Sequence, residues 1–296
     1  MQIAQKIASN PRRCVALETT LLAHGVPRES ALDLHDELDD LIRSAGAVPA
    51  LIGVIAGEPV VGMSRDALRA MLDQQQTPKL NASNLGVAMH RGLTGATTVS
   101  TTMEIAARAG VRVFATGGIG GVHRGYASRL DISSDLMAIA RYPVGVVTSG
   151  VKSLLDVIST REALETLGVC VAGFATDRFP AFYMRESEAG VDARFDDAID
   201  LAQFVGAELS RSGRGVVIAN PIPASSEMAA EDFSRMLGEA EASVAAADGP
   251  PAGRDVTPAI LSALHTISAG KTLKANLELV RANSSLAGRL ASSGKL

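Results

Sequence analysis

Short runs rich in valine and isoleucine alternate with amphipathic helical stretches along most of this 296-residue chain. A strand run followed by a helix and another strand run is the pattern of βαβ units, which stack into a mainly parallel sheet with helices on its faces. "CVAL" (14–17) reads as the first strand and "ESALDLHDELDDLIRSAG" (29–46) as a helix closed by Gly46. "ALIGVIAGEPVVGM" (50–63) reads as a hairpin turning at Gly57 and Glu58. "SRDALRAML" and "ASNLGVAMHRG" read as helices. A regular series follows: strand "GATTVS", helix "TTMEIAARAG", strand "VRVFA", a glycine loop, helix "SSDLMAIA", strand "VGVVTS" and helix "VKSLLDVI". Strands "VCVAGFA" (169–175) and "GVVIAN" (215–220) come later, and the remainder is helical. The expected class is α/β/α with a helical C-terminal region. The Gly/Pro-rich patch at 245–255 leaves too little chain behind it for a second core, so one domain over 1–296 is expected.

Composition narrows the function. Aromatic residues make up only 3% and the net charge is -4. A chain so poor in rings and basic residues lacks both the stacking platform and the electrostatic footprint of a nucleic-acid binder. No run of about 18 apolar residues exists to span a membrane. The opening "MQIAQKIASNPRRC" has no apolar h-region, so no secretory leader is expected. Cys14 and Cys170 read as reduced thiols, which places the protein in the cytoplasm.

"FATGGIGGVHRG" (114–125) is the most unusual segment, with four glycines in five positions after an apolar run. It fails the dinucleotide fingerprint G-x-G-x-x-G, because the sixth position counted from Gly118 is His123. "GKT" at 270–272 fails the P-loop, because the required first glycine falls on His265. Two readings of the loop remain. Its N–H groups form an anion nest for a phosphate, with Thr116, His123 and Arg124 adding polar contacts, or it is a tight structural turn. Lys152 follows the strand "VGVVTS" and is expected at a helix start, where the helix dipole disfavours its charge and favours a nucleophilic amine. A surface lysine is the alternative. Glu18 ends a strand, where ligands of parallel sheets gather, and partial burial would make it a general acid. In "LDISSDL", Ser133 or Ser134 suits a helix N-cap, and Asp131 offers hard oxygen to magnesium or manganese. "ANPIP" (219–223) and "LKANLELV" (273–280) are candidate pocket segments, although Asn276 in mid-helix would ordinarily face water.

Taken in order, "ALETTLLAHGVP", "GATTVSTTMEIAARAGVRVFATGGIGGVHRG", "DISSDL", "GVKSLLD", "FPAFY", "ANPIP" and "LKANLELV" resemble the pseudouridine-5′-phosphate glycosidase family from residue 16 to about residue 283. The resemblance implies cleavage of the C–C bond between ribose and uracil in pseudouridine 5′-phosphate, giving uracil and ribose 5-phosphate. It implies an α/β/α fold, a homotrimer and a divalent metal, usually manganese. It maps the acid to Glu18, the nucleophile to Lys152 and the metal ligand to Asp131. Substrate contacts map to Lys79, Val99, Ser133, Ser134 and Asp135, with His123 and Asn276 as further pocket residues. Thr148 and Ser149 stand where Cys-Ala is common in the family, and Ala224 where an acidic residue is common.

The implied chemistry accounts for the residue types. Uracil bound through carbon is a poor leaving group, so the paired-carboxylate route of ordinary glycosidases would struggle. A lysine that attacks a ring-opened sugar divides the reaction into easier steps. The competing readings are a Schiff-base aldolase acting on another sugar phosphate or modified C-nucleotide, and a non-catalytic sugar-phosphate-binding protein.

Overall fold

A computed structural model describes residues 1–127, 130–247 and 256–296. Its strands are β1 (Gln2–Ile3), β2 (Cys14–Glu18), β3 (Val48–Ile55), β4 (Glu58–Val61), β5 (Lys79–Leu80), β6 (Ala96–Thr97), β7 (Val113–Ala115), β8 (Val122–His123), β9 (Gly145–Thr148), β10 (Leu155–Asp156), β11 (Cys170–Phe174), β12 (Ala193–Phe195) and β13 (Val216–Ala219). The helices are α1 (Gln5–Ala8), α2 (Arg28–Ser44), α3 (Arg65–Leu72), α4 (Leu85–His90), α5 (Val99–Arg108), α6 (Ser134–Arg141), α7 (Val157–Thr166), α8 (Ala198–Ser212), α9 (Ala230–Ala245), α10 (Val256–Ile267) and α11 (Lys271–Ser292).

Nine strands form the main sheet in the order β1-β4-β3-β2-β7-β9-β13-β11-β12. Every pairing in it is parallel except the β3–β4 hairpin. Side chains alternate across the sheet, as the period of two requires. Val15 and Leu17 of β2 join one core with α2, α8 and α11, through residues such as Leu38, Leu201 and Leu279. Cys14 and Ala16 join the opposite core with α5, α6 and α7, through Met103, Ile139 and Leu164. This is the expected α/β/α sandwich, covered on both faces, and it explains why the strands read as continuous apolar runs. None of the described helices is long and apolar enough to cross a membrane.

The order of the strands positions the site. From β2 the chain moves outward to β3 on one side, while β7 and β9 lie on the other. The crevice at the carboxyl ends of β2 and β7 is therefore a topological switch point, where open α/β sheets bind ligands.

Three local expectations need correction. "GATTVS" is not a strand of the main sheet. Its strand is only Ala96 and Thr97, which pair with Lys79 and Leu80 in a separate ribbon. Thr97 spends its hydroxyl on the Ile52 carbonyl, and Thr98 builds a capping box with Thr101, so α5 begins at Val99. "VKSLLDVI" is not helical from its lysine. The Lys152 N–H bonds the Ile119 carbonyl, and β10 pairs antiparallel with β8. Asp156 then caps α7 by accepting the Ser159 N–H at 2.9 Å. The edge strands β1 and β12 were not anticipated, being only two and three residues long. Most of the expected surface loop at 245–255 lies outside the described residues.

Candidate active site

Glu18 ends β2, and Thr116 immediately follows β7 on the neighbouring strand. The Thr116 hydroxyl donates to Glu18 Oε1 at 2.5 Å, closing the switch point with a hydrogen bond. Both residues line a cavity of about 380 Å³ together with Lys152, Lys79, Gly117, Gly118 and Asn276. Its apolar wall includes Phe182, Tyr183 and Phe233. Glu18 keeps some contact with the cavity but is otherwise enclosed by protein. Burial pushes its carboxyl above the ordinary glutamate range. Lys152 and the Thr116 hydrogen bond pull it down, Asp135 pushes it further up, and Lys79 pulls it down. The net effect is a carboxyl group that holds its proton at higher pH than usual, opposite an amine.

The loop that carries Lys152 is pinned from both sides. Ile119 donates to the Gly150 carbonyl at 3.0 Å, and Lys152 donates back to the Ile119 carbonyl at 3.2 Å. The Thr148 hydroxyl also donates to the Gly150 carbonyl at 2.9 Å, and Arg124 reaches the Ser153 carbonyl at 3.2 Å. Lys152 lies five residues before α7 begins, so no helix dipole acts on it, contrary to the sequence expectation. Phe182 adopts a left-handed φ of 64°, a conformation that costs a bulky residue about 1–2 kcal/mol. The Ser149 carbonyl holds its N–H at 2.9 Å, and its ring packs over Gly118.

Comparison with known proteins agrees with this geometry. The family profile described as "Indigoidine synthase A like protein" matches residues 2–293. The chain belongs to the indigoidine synthase A-like family. Within it, the chain is 42% identical over 278 residues to a pseudouridine-5′-phosphate glycosidase of Methylobacterium nodulans, covering 94% of this chain and 82% of that protein. It is 42% identical over 289 residues to one of Alkaliphilus metalliredigens, covering 97% and 93%. Among solved structures, it superposes on an indigoidine synthase A-like protein of Thermotoga maritima with a TM-score of 0.87 at 34% identity, covering 96% of this chain and 93% of that one. It superposes on the prealnumycin C-glycosynthase AlnA, solved in complex with ribulose 5-phosphate, with a TM-score of 0.89 at 34% identity, covering 99% and 96%.

The glycine loop spends much of its backbone internally. The N–H groups of Thr116, Ile119, Gly120 and Val122 are spent on Val147, Gly150, Asp135 and Thr160. Gly117 and Gly118 line the cavity, and none of the four glycines has a left-handed φ, so the αR-αL form of an anion nest is absent. These glycines serve close packing. A Cβ at Gly118 would meet Phe182 at 2.5 Å, one at Gly120 Ser133 Oγ at 2.3 Å, and one at Gly121 Thr160 Oγ1 at 2.3 Å.

The singled-out residues fall into two groups. Glu18, Lys79, Thr116, Lys152 and Asn276 line the cavity. Val99, His123, Asp131, Ser133, Ser134 and Asp135 do not line it, and they gather where α5 and α6 begin. Asp135 accepts the Ser100 N–H at 3.0 Å and the Gly120 N–H at 2.9 Å, so both its oxygens hold backbone. Ser134 bonds Ser100 at 3.2 Å, Ser133 caps α6, and Val99 is buried. Asp131 is half-exposed, 3.8 Å from His123. Asn276 is 8% exposed and faces the cavity instead of bulk water. Asn283, fully buried beneath the glycine loop, was missed. Its signal is the spacing of seven from Asn276, which puts both amides on one face of α11.

Two stability measurements check this description. The folded Glu18 carboxyl binds its proton more tightly than the unfolded one, so it costs stability as pH rises from the ordinary glutamate range through the raised folded value. Glu18→Gln removes that cost. Its melting temperature should exceed wild type at pH 8, and by less at pH 5; a difference independent of pH would contradict the burial. Gly150 has φ +79° and would place a Cβ 1.8 Å from the Pro180 carbonyl oxygen, whereas Gly213 has φ +66° and open space around it. In urea denaturation, Gly213→Ala should cost about 1–2 kcal/mol and Gly150→Ala clearly more. Equal costs would show that the Lys152 loop does not abut Pro180.

Proposed function

We propose that this protein is a pseudouridine-5′-phosphate glycosidase that cleaves the C–C glycosidic bond through a Schiff base on Lys152. One observation carries the reading: Glu18 is the sole carboxylate among the described cavity-lining residues, and it shares the cavity with Lys152. A paired-carboxylate glycosidase needs a second acid flanking the bond. A lysine-based route needs the single acid and amine found here. The names of the relatives agree with C-glycosidic chemistry on a sugar phosphate.

Glu18 gives its proton to the ribose ring oxygen as the bond from that oxygen to C1′ breaks, and the Lys152 amine adds to C1′. The adduct nitrogen gives a proton to the Glu18 carboxylate, and its freed lone pair forms an iminium with C1′. The electrons of the C1′–C5 bond pass to uracil, which takes that proton at C5 and leaves. Water hydrolyses the imine and returns free Lys152 and ribose 5-phosphate. Thr116 holds Glu18 in place, and Asn276 meets the substrate from the cavity wall beside Gly117. Lys79, which lines the cavity, receives the phosphate, which supplies remote binding energy. Ser133 and Ser134 at the start of α6 are its further proposed contacts, and Asp135 braces that start through the Ser100 and Gly120 N–H groups, beside Val99.

The reading includes manganese at Asp131. Among the described residues, no three His, Cys, Asp or Glu side chains gather into a cation cage. A hard cation that keeps most of its positions for water and substrate oxygens needs only one or two carboxylates, and Asp131 provides one. When bound, the cation would neutralise phosphate charge. His123, beside Asp131, orients that carboxylate. A homotrimer and a cytoplasmic location complete the proposal. Exposed Tyr126, Leu130, Ile132 and Met137 support self-association, and two unpaired cysteines support a reducing compartment.

Purified protein with manganese should release uracil from pseudouridine 5′-phosphate, followed by chromatography, and act far more slowly on pseudouridine. Absence of uracil release, with activity on another sugar phosphate, would favour an aldolase. Equal kcat/KM with and without the phosphate would remove Lys79 from its role. Asp131→Ala should raise the manganese concentration needed for half-maximal rate at least about tenfold. An unchanged requirement would place the metal elsewhere.

A further inference from the structure

Three neighbouring strands of the main sheet end side by side, β7 at the cavity itself, and one buried amide ties them together. Asn283 Nδ2 donates to the Thr116 carbonyl at 2.8 Å and to Ser149 Oγ at 3.2 Å, and its Oδ1 accepts from Asn220 Nδ2 at 2.9 Å. Thr116, Ser149 and Asn220 each follow directly on β7, β9 and β13. The backbone ladder runs on through these residues, with the Thr116, Ser149 and Asn220 N–H groups on the Val147, Gly117 and Thr148 carbonyls at 3.0, 2.9 and 2.9 Å. The amide adds a side-chain tie where that ladder stops, taking the Thr116 carbonyl and the Ser149 hydroxyl.

Two of these partners lead straight to the reacting groups. Thr116 is the donor to Glu18. Ser149 precedes Gly150, whose carbonyl takes the Ile119 N–H, and Ile119 in turn accepts from Lys152. Asn283 sits on the buried side of α11 among Leu279, Val280, Leu286 and Ala287. An aliphatic residue there would avoid the cost of desolvating an amide. The amide is stabilised only because these strand ends satisfy it.

We infer that Asn283 is a positioning residue that sets the separation between the Glu18 carboxyl and the Lys152 amine; this rests on the function proposed above and deepens it. It touches neither substrate nor either reacting group. Misplacement of about 1 Å can cost on the order of 10²-fold in rate, so loss of the tie should appear in turnover before binding.

The experiment compares Asn283→Ala, Asn283→Asp and Ser149→Ala with wild type. For uracil release, both Asn283 variants should lose about 10- to 100-fold in kcat with KM held within a few-fold, and Ser149→Ala should lose less. Carbon-13 NMR titration of the Glu18 carboxyl in the resting protein reads the Thr116 link without substrate. Lys152, Lys79, Asp135 and the Thr116 hydroxyl all act on that carboxyl. Slackening Thr116 should move the titration to higher pH in the Asn283 variants and leave it in place in Ser149→Ala. Wild-type kcat together with an unmoved titration in both Asn283 variants overturns the inference, as does a fall in kcat with the titration unmoved, which a purely structural role would give. If the Asn283 variants do not fold, Asn220→Ala and Ser149→Ala each remove one bond and keep the amide. Lower kcat at constant KM then supports the inference, and wild-type kinetics overturn it. Should wild type itself release no uracil while the titration shifts as expected, the proposed function has failed and the positioning stands.

Discussion

A carboxyl group enclosed between two parallel strands is an expensive thing to place, and the architecture of this protein is arranged around one. Glu18 sits where β2 ends and the strand order reverses, so its side chain enters a crevice that no ladder fills. Burial favours its neutral form, and the Thr116 hydroxyl fixes its orientation. Thr19, the next residue, is buried and donates to the Ile52 carbonyl on one side while accepting the Thr97 N–H on the other. The threonine-rich segments therefore take over the hydrogen bonding that the sheet gives up at this point, and the acid group stands on a fixed base.

The glycine loop has the same purpose by different means. It crosses the carboxyl edge of the sheet where α6, α7, α11 and the Phe182 turn all converge, and at Gly118, Gly120 and Gly121 there is no room for a side chain. The Ile119, Gly120 and Val122 backbone groups hold these elements together through the Lys152 segment, Asp135 and Thr160. A loop that looks made for phosphate is thus the joint between the acid-bearing strand and the amine-bearing loop. The cluster of serines, Asp135 and Asp131 lies behind this joint, next to the cavity and not within it.

Much of this was legible in the sequence. Val/Ile-rich runs at regular intervals specified a covered parallel sheet, and a glutamate ending the first long strand pointed to the crevice. Two kinds of feature were hidden. Where side chains satisfy the backbone, local pattern misleads: "GATTVS" looks extended, yet Thr97 and Thr98 cap and brace instead of pairing in the main sheet. "VKSLLDVI" looks helical from its lysine, yet Ile119 and β8 capture it as extended chain. The role of each glycine was also invisible, since the choice between nest and close packing depends on what other elements press against it. Asn283 escaped notice because its partners are more than 60 residues away in sequence and meet only at the strand ends.

The central claim is that the strand order brings one acid and one reactive amine together over an open-chain sugar phosphate. Borohydride reduction in the presence of ribose 5-phosphate, followed by peptide mass spectrometry, tests it most directly. The account predicts one reduced sugar-phosphate adduct, on the peptide carrying Lys152 and on that lysine. An adduct on Lys79, which lines the same cavity, or no adduct at all in an enzyme that turns over its substrate, would contradict it.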